Sequence, residues 1–248
     1  MAVARKIPDI TSRPTTFCPG CGHGILTRLL GECLTELGQE KNVITTIGVG
    51  CSCIFDTAYQ GDMLQAPHGR GGAVATGVKR ARPDVTVVAY QGDGDAYTIG
   101  LAETLNAAYR NENISVFVVN NCNFGMTGGQ MSWTTMPGQV TTTSVHGRDC
   151  AHTGIPIKVP EIIASSFDAA YVARGTVTSA KHIRQLKGYI KHALETQIRG
   201  EGYSLVEIVS PCPTNWHMSA LEAIDHIEKN VLPYYTLGEF LKKEATKK

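Results

Sequence analysis

The chain has 248 residues and a formal net charge of +1, from 23 Lys or Arg and 22 Asp or Glu. A balance this close to neutral lacks the basic footprint of a nucleic-acid-binding protein, and no apolar run approaches the roughly 18 residues of a membrane span. The N-terminal segment 1–6 also lacks the apolar core of a secretory signal. The sequence therefore predicts a cytoplasmic protein that binds neither nucleic acid nor a membrane.

Helical and strand-like segments alternate along the chain. In chain order, the apolar patterns first predict a helix at 26–37, which Gly38 would cap, and strands at 43–48 and 85–90. A helix at 101–109 and strands at 114–119 and 171–177 follow. The last predicted elements are a helix at 183–198 and a strand at 204–209. Strands that alternate with helices indicate an α/β fold with a doubly wound, mostly parallel sheet. We expect residues 1–248 to form a single domain.

The stretch 126–160 is rich in Gly, Thr and Pro and has no clear period. A loop of this length is usually functional or forms an interface. It contains His146, Cys150 and His152, which allow either a metal site or interface packing, and the length of the loop favours packing. The charged segment 242–248 is expected to be solvated.

Ligands of open α/β sheets bind beyond the carboxyl ends of the strands. Four predicted strands end next to residues of suitable chemistry: Cys51 follows the first, Asp93 the second, Asn121 the third and Cys212 the last. Because these ends meet on one rim of the sheet, the sequence predicts an active site there.

Gly-Asp-Gly-Asp at 92–95, followed 28 residues after Asp93 by Asn121, resembles the magnesium–diphosphate motif of thiamine-diphosphate enzymes. Asp93, Asn121 and the carbonyl of Asn123 offer the oxygen ligands that Mg²⁺ prefers. Gly92 and Gly94 would let the backbone approach the phosphates at the N-terminus of the next helix. The alternative is a simple turn at 92–94 and a strand end at 120–121.

Cysteines supply the second chemical pattern. Cys18 and Cys21 form a CxxC pair ahead of the first predicted helix, and Cys51 and Cys212 follow the first and last strands. Pro211 and Pro213 flank Cys212 and restrict its backbone. Four converging cysteines bind either a [4Fe-4S] cluster or structural zinc, and a neighbouring diphosphate site favours the cluster because an electron carrier suits such chemistry.

Together these motifs resemble the β subunit of the 2-oxoacid:ferredoxin oxidoreductases, of the branched-chain 2-oxoacid or 2-oxoglutarate type. The resemblance covers about residues 15 to 240, and its motifs are CPGCGHG at 18–24, GVGCS at 48–52, HGR at 68–70, GDGD at 92–95, NCNFGMTGGQ at 121–130 and SPCPT at 210–214. It implies the thiamine-diphosphate-binding fold with thiamine diphosphate, Mg²⁺ and a [4Fe-4S] cluster as cofactors and coenzyme A as co-substrate.

The resemblance also implies roles for individual residues. The implied cluster ligands are Cys18, Cys21, Cys51 and Cys212, and the implied Mg²⁺ ligands are Asp93, Asn121 and Asn123. The implied cofactor contacts are Gly50, Cys51, Ser52, His68, Gly92, Asp93, Gly94, Asp95, Asn121, Gly125 and Met126. Ile54, Arg70 and Met126 are expected to face the substrate. Two alternatives stay open: His68 caps the helix that follows it, and Arg70 pairs at a subunit interface.

The turn after the first strand departs from the family pattern. It carries an extra cysteine, Cys53, which is an alternative to Cys51 as a cluster ligand, although only Cys51 directly follows the Gly-Val-Gly turn. Members that accept dicarboxylic substrates look to have a lysine near the position of Ile54. An isoleucine there favours a branched-chain or other apolar 2-oxoacid over 2-oxoglutarate. Cys33 and Cys122 are expected to pack in the protein.

The implied reaction is the oxidative decarboxylation of a 2-oxoacid with coenzyme A to acyl-CoA and CO₂, with electrons passing through the cluster to ferredoxin. No glutamate of this chain lies in a context suited to activating thiamine diphosphate. The catalytic glutamate is therefore expected on a partner α subunit of a hetero-oligomer, and the isolated chain is predicted to be inactive. The distant alternative is a non-catalytic scaffold subunit with structural zinc.

Overall fold

The computed structural model describes residues 7–243, which form one seven-stranded sheet in the order β2-β1-β3-β4-β6-β5-β7. The strands are β1 (Val43–Ile47), β2 (Asp62–Gln65), β3 (Thr86–Gly92), β4 (Ser115–Asn120), β5 (Tyr171–Thr176), β6 (Ser204–Val209) and β7 (Gly238–Lys242). The first six run parallel, and β7 pairs antiparallel with β5. This topology confirms the predicted α/β class with a mostly parallel sheet.

Helices cover both faces of the sheet. They are α1 (His23–Glu36), α2 (Phe55–Ala58), α3 (Gly71–Ala81), α4 (Leu101–Tyr109), α5 (Cys150–Thr153), α6 (Val159–Ser166), α7 (Ala180–Ile198), α8 (Pro213–Trp216) and α9 (Ala220–His226). Helices α1 and α7 pack on one face, and α3, α4 and α6 pack on the other. None of the helices formed by residues 7–243 combines the length and apolar character that crossing a bilayer requires.

Each face of the sheet has its own apolar core, and successive residues of the central strands point alternately into one core and the other. In β3, Val88 and Tyr90 join the core under α1 and α7, whereas Val87 and Ala89 join the core on the other face. A parallel strand that is buried on both sides needs apolar residues at nearly every position. Such continuous runs made the five central strands visible in the sequence.

The two outer strands were not predicted. Strand β2 has four residues and is mostly exposed, and β7 is an irregular strand of alternating exposure at the opposite edge. Edge strands this short and polar carry no periodic apolar signal. Lys242 ends β7, so the predicted solvated segment 242–248 lies mostly outside the described residues.

The stretch 126–160 is largely irregular, as predicted, and is organised around one buried cation. Arg148 is only 4% exposed, and its Nη1 donates to the carbonyl oxygens of Ser132, Trp133 and Thr135 at 3.4, 3.0 and 2.5 Å. Its Nη2 donates to the carbonyl of Gly154 at 3.0 Å. The guanidinium thus satisfies several main-chain acceptors and holds residues 132–135 beside the end of β3.

Candidate active site

An open cleft lies at the carboxyl ends of β1, β3 and β4, with about 460 Å³ of empty volume that includes solvent at its mouth. The lining residues are His23, Val49, Gly50, Cys51, Ser52, His68, Gly92, Asp93, Gly94, Asp95, Asn121, Asn123, Phe124, Gly125, Met126 and Thr127. All eleven residues predicted to contact the cofactor are among them.

Asp93 follows directly after β3 and is 1% exposed. Its Oδ2 accepts hydrogen bonds from the hydroxyls of Ser132, at 2.8 Å, and Thr134. The other oxygen, Oδ1, receives only a long contact of 3.4 Å from the backbone N–H of Asn121. Burial raises the pKa of Asp93 to about 6, although the hydroxyl donors oppose this. One carboxylate oxygen is therefore satisfied within the protein, and the other remains free to bind a cation.

Three oxygens converge at this point. The side-chain oxygen of Asn121 lies 3.0 Å from Asp93 Oδ1 and 2.8 Å from the carbonyl oxygen of Asn123, and no donor stands between them. Exchanging the amide O and N of Asn121 would turn both contacts into hydrogen bonds. In an octahedral Mg²⁺ site, neighbouring ligand oxygens are about 2.9 Å apart. The two distances from the Asn121 oxygen are therefore close to this spacing.

The convergence depends on a left-handed residue between two of the ligands. Cys122 has φ +57°, and its backbone N–H donates to Asn120 Oδ1 at 3.1 Å. Its carbonyl accepts from the hydroxyl of Thr135 at 2.7 Å. These bonds fix a turn that directs the Asn121 side chain and the Asn123 carbonyl to the same place. The predicted packing role of Cys122 is thus only part of its contribution.

The backbone after Asp93 continues as a π-helical turn, Gly94–Ile99, and only then as α4. The regular helix N-terminus predicted at this point is thus a wider turn, a feature often found at functional sites. A Cβ on Gly94 would lie 2.5 Å from the ring of Phe124. Gly94 therefore lets the two loops that form this wall of the cleft approach each other.

His68 is held by a buried carboxylate. Its Nδ1 lies 2.5 Å from Asp95 Oδ1, which also accepts from the backbone N–H of Gly69 at 2.6 Å. The other oxygen of Asp95 accepts from Gln91 Nε2 at 2.6 Å. Helix α3 begins at Gly71 without a side-chain cap, so His68 does not cap it. Its partner is Asp95, and its ring lies on the cleft wall.

Of the three predicted substrate residues, only Met126 lines the cleft, where it is 45% exposed. Arg70 is not a lining residue, and its Nη1 pairs with Glu103 Oε1 of α4 at 2.7 Å. Ile54 ends the 3₁₀ turn Cys51–Ile54 and is partly buried away from the lining. The Met126 sulfur lies 4.0 Å from Cys53 Sγ at the mouth of the cleft.

The four predicted cluster ligands come together beside the cleft. The thiols of Cys18, Cys21 and Cys212 all raise the pKa of Cys51 to about 12, after the larger effect of burial. Burial, together with the thiols of Cys212 and Cys18, raises the pKa of Cys21 to about 11, and the backbone N–H of His23 opposes this. Exposure falls from Cys18, at the surface, to Cys212, which is buried. The other three thiols thus all act on Cys51, but the described cysteines do not form a group of three or more that could hold a single metal ion.

The N-terminal loop reaches the last strand by close packing. Gly20 has φ +79°, and a Cβ there would lie 2.6 Å from the Cβ of Ala220 in α9. The backbone N–H of Gly22 donates to Ser210 Oγ at 3.2 Å. Cys18 and Cys21 are thereby held against Cys212, some 190 residues away in the sequence.

Within residues 7–243, no group of three or more His, Cys, Asp or Glu side chains is arranged so that it could hold a metal ion. The loop residues His146, Cys150 and His152 therefore do not form such a group. His152 pairs loosely with Asp149 at 3.6 Å, and both side chains are mostly exposed. The interface alternative for this loop stays a prediction.

Several residues at the site escaped the sequence analysis. His23 is 1% exposed, its Nδ1 lies 2.6 Å from the hydroxyl of Tyr90, and burial lowers its pKa to about 3. Ser132 and Thr134 bind Asp93 from a loop without periodic pattern. Asn215 contacts Cys212. Only His23 stood in a recognised motif, and its neighbours in CPGCGHG are the one signal that could have found it.

Comparison with known proteins places the chain in a class. The sequence profile described as "Thiamine pyrophosphate enzyme, C-terminal TPP binding domain" matches residues 48–208, more than half of the chain. The three converging oxygens and all the described lining residues of the cleft except His23 lie inside this range. The fold and this match define a thiamine pyrophosphate enzyme domain. Cys18, Cys21 and Cys212 lie outside the matched residues.

Individual relatives narrow the class. The chain is 41% identical to ketoisovalerate oxidoreductase subunit VorA of Methanothermobacter thermautotrophicus, over 93% of this chain and 48% of that one. It is 32% identical to 2-oxoglutarate synthase subunit KorB of Archaeoglobus fulgidus, over 88% of this chain and 77% of that one. The chain belongs to the family of 2-oxoacid:ferredoxin oxidoreductase subunits that carry this thiamine pyrophosphate domain.

A solved structure of the same family has a similar fold. The 2-oxoglutarate:ferredoxin oxidoreductase from Magnetococcus marinus, with 2-oxoglutarate, coenzyme A and succinyl-CoA bound, matches with a TM-score of 0.82 and 28% identity, over 97% of this chain and 86% of that chain. The present chain spans about half the length of the ketoisovalerate oxidoreductase subunits that it matches, 48% and 43%. Those relatives therefore contain a further part that this chain does not match.

Proposed function

We propose that the chain is the thiamine-diphosphate-binding subunit of an enzyme that oxidatively decarboxylates a 2-oxoacid with coenzyme A and passes the electrons to ferredoxin. The observation that carries this proposal is the meeting of two donor sets at one cleft. Three oxygens of magnesium spacing stand on one side, and four coupled thiols stand on the other, with Cys51 in the wall. When bound, thiamine diphosphate supplies the carbanion chemistry of decarboxylation.

In this proposal Asp93, Asn121 and the carbonyl of Asn123 hold Mg²⁺, which in turn holds the diphosphate. Ser132 and Thr134 orient the Asp93 carboxylate so that only Oδ1 faces the ion. The buried Oδ1 of Asn123 has no hydrogen-bond partner, which makes the site richer still in acceptors. An excess of buried acceptors is favourable only when a cation or donors of a ligand satisfy them.

Cys18, Cys21, Cys51 and Cys212 would ligate a [4Fe-4S] cluster. A single tetrahedral zinc requires thiolate sulfurs about 3.8 Å apart, and the described cysteines do not form such a group. A four-iron cluster places each thiolate on a different iron and so spaces them more widely. Four cysteines beside a cleft for a carbanion-forming cofactor support the cluster over zinc, because only the cluster can carry electrons.

We propose a branched-chain or other apolar 2-oxoacid as the substrate. Among the described residues that line the cleft, none is Lys or Arg, and Phe124 and Met126 give it apolar walls. The nearby guanidinium of Arg70 is already paired with Glu103. A second carboxylate on the substrate would therefore find no Lys or Arg among the described lining residues. The second candidate is 2-oxoglutarate, which is bound in the structural neighbour from Magnetococcus marinus.

Specificity constants measured on the assembled enzyme separate these substrates. The apolar walls lead us to expect a higher kcat/KM for 2-oxoisovalerate than for 2-oxoglutarate. A strong preference for 2-oxoglutarate would overturn this assignment and would mean that a partner subunit supplies the cation.

The site is incomplete in this chain, so we propose that an α subunit and further subunits complete it. The two carboxylates of the cleft, Asp93 and Asp95, are both engaged by other groups, and the described lining residues include no glutamate to activate the cofactor. The isolated chain should show no steady turnover. The eight free thiols are in keeping with a reducing compartment such as the cytoplasm.

The decisive experiment is elemental and cofactor analysis after purification without oxygen, alone and together with its native partner subunits. We expect about four irons and one thiamine diphosphate per chain in the complex. Zinc in place of iron, with no thiamine diphosphate, would leave a metal-stapled scaffold and overturn the proposal. Turnover by the chain alone would refute the partner requirement only.

A further inference from the structure

Asn215 touches both halves of the site at once. It lies in α8, three residues after Cys212. Its Nδ2 donates to Cys212 Sγ at 3.3 Å and to the carbonyl oxygen of Gly125 at 2.8 Å. A primary amide has two N–H groups, so it can serve both acceptors together. One side chain thus links a cysteine of the four-thiol group to the loop that walls the cleft.

The bond to sulfur is protected from water. Cys212 is 8% exposed, and Asn215 is partly buried. A hydrogen bond to a cluster sulfur stabilises the more negative, reduced state, and it is stronger where solvent does not compete. The side chain of Asn215 therefore has the position needed to raise the reduction potential of a cluster bound at Cys212.

The loop at Gly125, which accepts the other hydrogen bond of the Asn215 amide, is closely packed. Gly125 lines the cleft, and a Cβ there would lie 3.0 Å from Cys51 Sγ and 3.3 Å from the amide nitrogen of Asn121. This segment therefore passes between a thiol on one side and a magnesium-site residue on the other. A change in its position would alter both sites.

We propose that Asn215 is a positioning residue that couples the four-cysteine site to the cofactor cleft, by donating one N–H to Cys212 and the other to the loop at Gly125. This inference rests on the proposed function, because it requires a cluster at the cysteines and thiamine diphosphate in the cleft. It assigns to a single amide both the tuning of the cluster potential and the anchoring of the cofactor loop.

The test uses the assembled enzyme with two substitutions. Asn215→Leu keeps the approximate shape and removes both N–H donors, and Asn215→Asp also adds a negative charge beside the sulfur. The matched control is Asn230→Leu, the same change at an exposed asparagine of the turn Ile227–Val231. Three quantities are measured: iron content, the cluster midpoint potential by a spectroscopically monitored titration, and the dissociation constant of thiamine diphosphate at fixed Mg²⁺.

We expect full iron in Asn215→Leu, a midpoint potential more negative than that of the parent enzyme, and a still more negative value in Asn215→Asp. The dissociation constant of thiamine diphosphate should rise about 3- to 10-fold, the usual effect of one lost hydrogen bond. Asn230→Leu should change neither quantity. A purely structural side chain would lower stability without moving the potential of the iron that remains.

An unchanged midpoint potential in an iron-replete Asn215→Leu enzyme overturns the inference and leaves the proposed function intact. If Asn215→Leu loses its iron, Asn215→Ser, which retains one hydroxyl donor, is measured in its place. Iron at the parent potential in Asn215→Ser, with unaltered cofactor affinity, also overturns the inference, as does loss of iron from both variants. Zinc without iron in the parent enzyme overturns the proposed function itself.

Discussion

The oxygen-lined half of the site and the cysteine half differ in how the chain builds them. Asp93, Asn121 and Asn123 are all at most 5% exposed, and they follow two adjacent strands of one sheet. The cysteines come from three separate places, and their exposure ranges from the surface to the interior. Hydrogen bonds to loop hydroxyls hold the oxygen half, whereas the cysteine half is held by the packing of loops that are distant in sequence.

The largest expected effect follows from Cys212→Ser. This change replaces the sulfur of a proposed cluster ligand with a hard oxygen at a backbone position that two prolines restrict. We expect most or all of the iron to be lost on anaerobic purification, while thiamine diphosphate binding persists because the oxygen half keeps its own hydrogen bonds. Cys150→Ser, at a partly exposed cysteine of α5, is the control that should retain its iron.

Cys53 makes the same experiment sharper. Its sulfur lies beside Met126 at the mouth of the cleft. If Cys212→Ser kept its full iron, Cys212 would have to be removed from the proposed ligand set. If Cys53→Ser lost iron while Cys51→Ser did not, Cys53 would take the place of Cys51.

Asp93→Ala should weaken cofactor binding and leave the iron in place, which is the reverse of the result expected for Cys212→Ser. It removes a proposed direct ligand of Mg²⁺, so the loss of Mg²⁺-dependent thiamine diphosphate affinity should exceed the roughly 10- to 100-fold expected when an outer partner is removed. Iron content should remain unchanged. The exposed Asp225→Ala variant provides the control, and cofactor binding is followed by calorimetry. Parent-like affinity would show that the three converging oxygens do not hold the ion.

The oxygen half and the cysteine half also differ in how far their contacts could be predicted from the sequence. Asp93 and Asn121 could be predicted because each directly follows a buried, β-branched strand whose end must lie on the ligand rim, and Asn123 lies two residues after Asn121. The central strands were visible for the same reason. Strand β2, with the sequence Asp-Met-Leu-Gln, carries no such pattern because it lies at the edge and is exposed.

Partners that are distant in sequence were not predictable. Arg70 was expected at the substrate, but Glu103 of the neighbouring helix takes its guanidinium, and only the packing of α3 beside α4 brings the two together. Ser132 and Thr134 reach Asp93 because Arg148 orders their loop through main-chain carbonyls. Such contacts depend on the fold of an irregular segment, for which residue patterns give no period to read.

Asp93 and His23 should respond in opposite senses to pH in the chelated chain. Burial raises the pKa of Asp93 from 3.8 to about 6, so its contribution to stability is present below about pH 4 and is lost as the pH rises through 6. Burial lowers the pKa of His23 from 6.5 to about 3, so its contribution is present above pH 6.5 and is lost as the pH falls. Each effect is about 3 kcal/mol across pH 4 to 6.5.

Urea denaturation of the chelated chain between pH 4 and 8 measures this balance. Relative to the parent, Asp93→Asn should gain stability as the pH rises, and His23→Gln should gain stability as the pH falls. Added Mg²⁺ should stabilise the parent more at pH 8 than at pH 5, because the ion competes with the proton on Asp93. Parallel pH profiles for all three proteins would contradict the assigned burial effects.

The smallest effect tests how the oxygen half is fixed. Cys122 is left-handed, and a β-branched residue there should cost about 1–2 kcal/mol in the free energy of unfolding. Cys122→Val should therefore lower stability and weaken Mg²⁺ binding several-fold, because the turn no longer brings Asn121 and Asn123 together. Cys122→Gly tolerates the turn and should keep its Mg²⁺ affinity. Cys33→Val, at a buried helical cysteine of α1, controls for the change of side chain. Equal Mg²⁺ affinities in Cys122→Val and Cys122→Gly would mean that the hydrogen bonds of Asn120 and Thr135 hold the ligands without help from the left-handed turn.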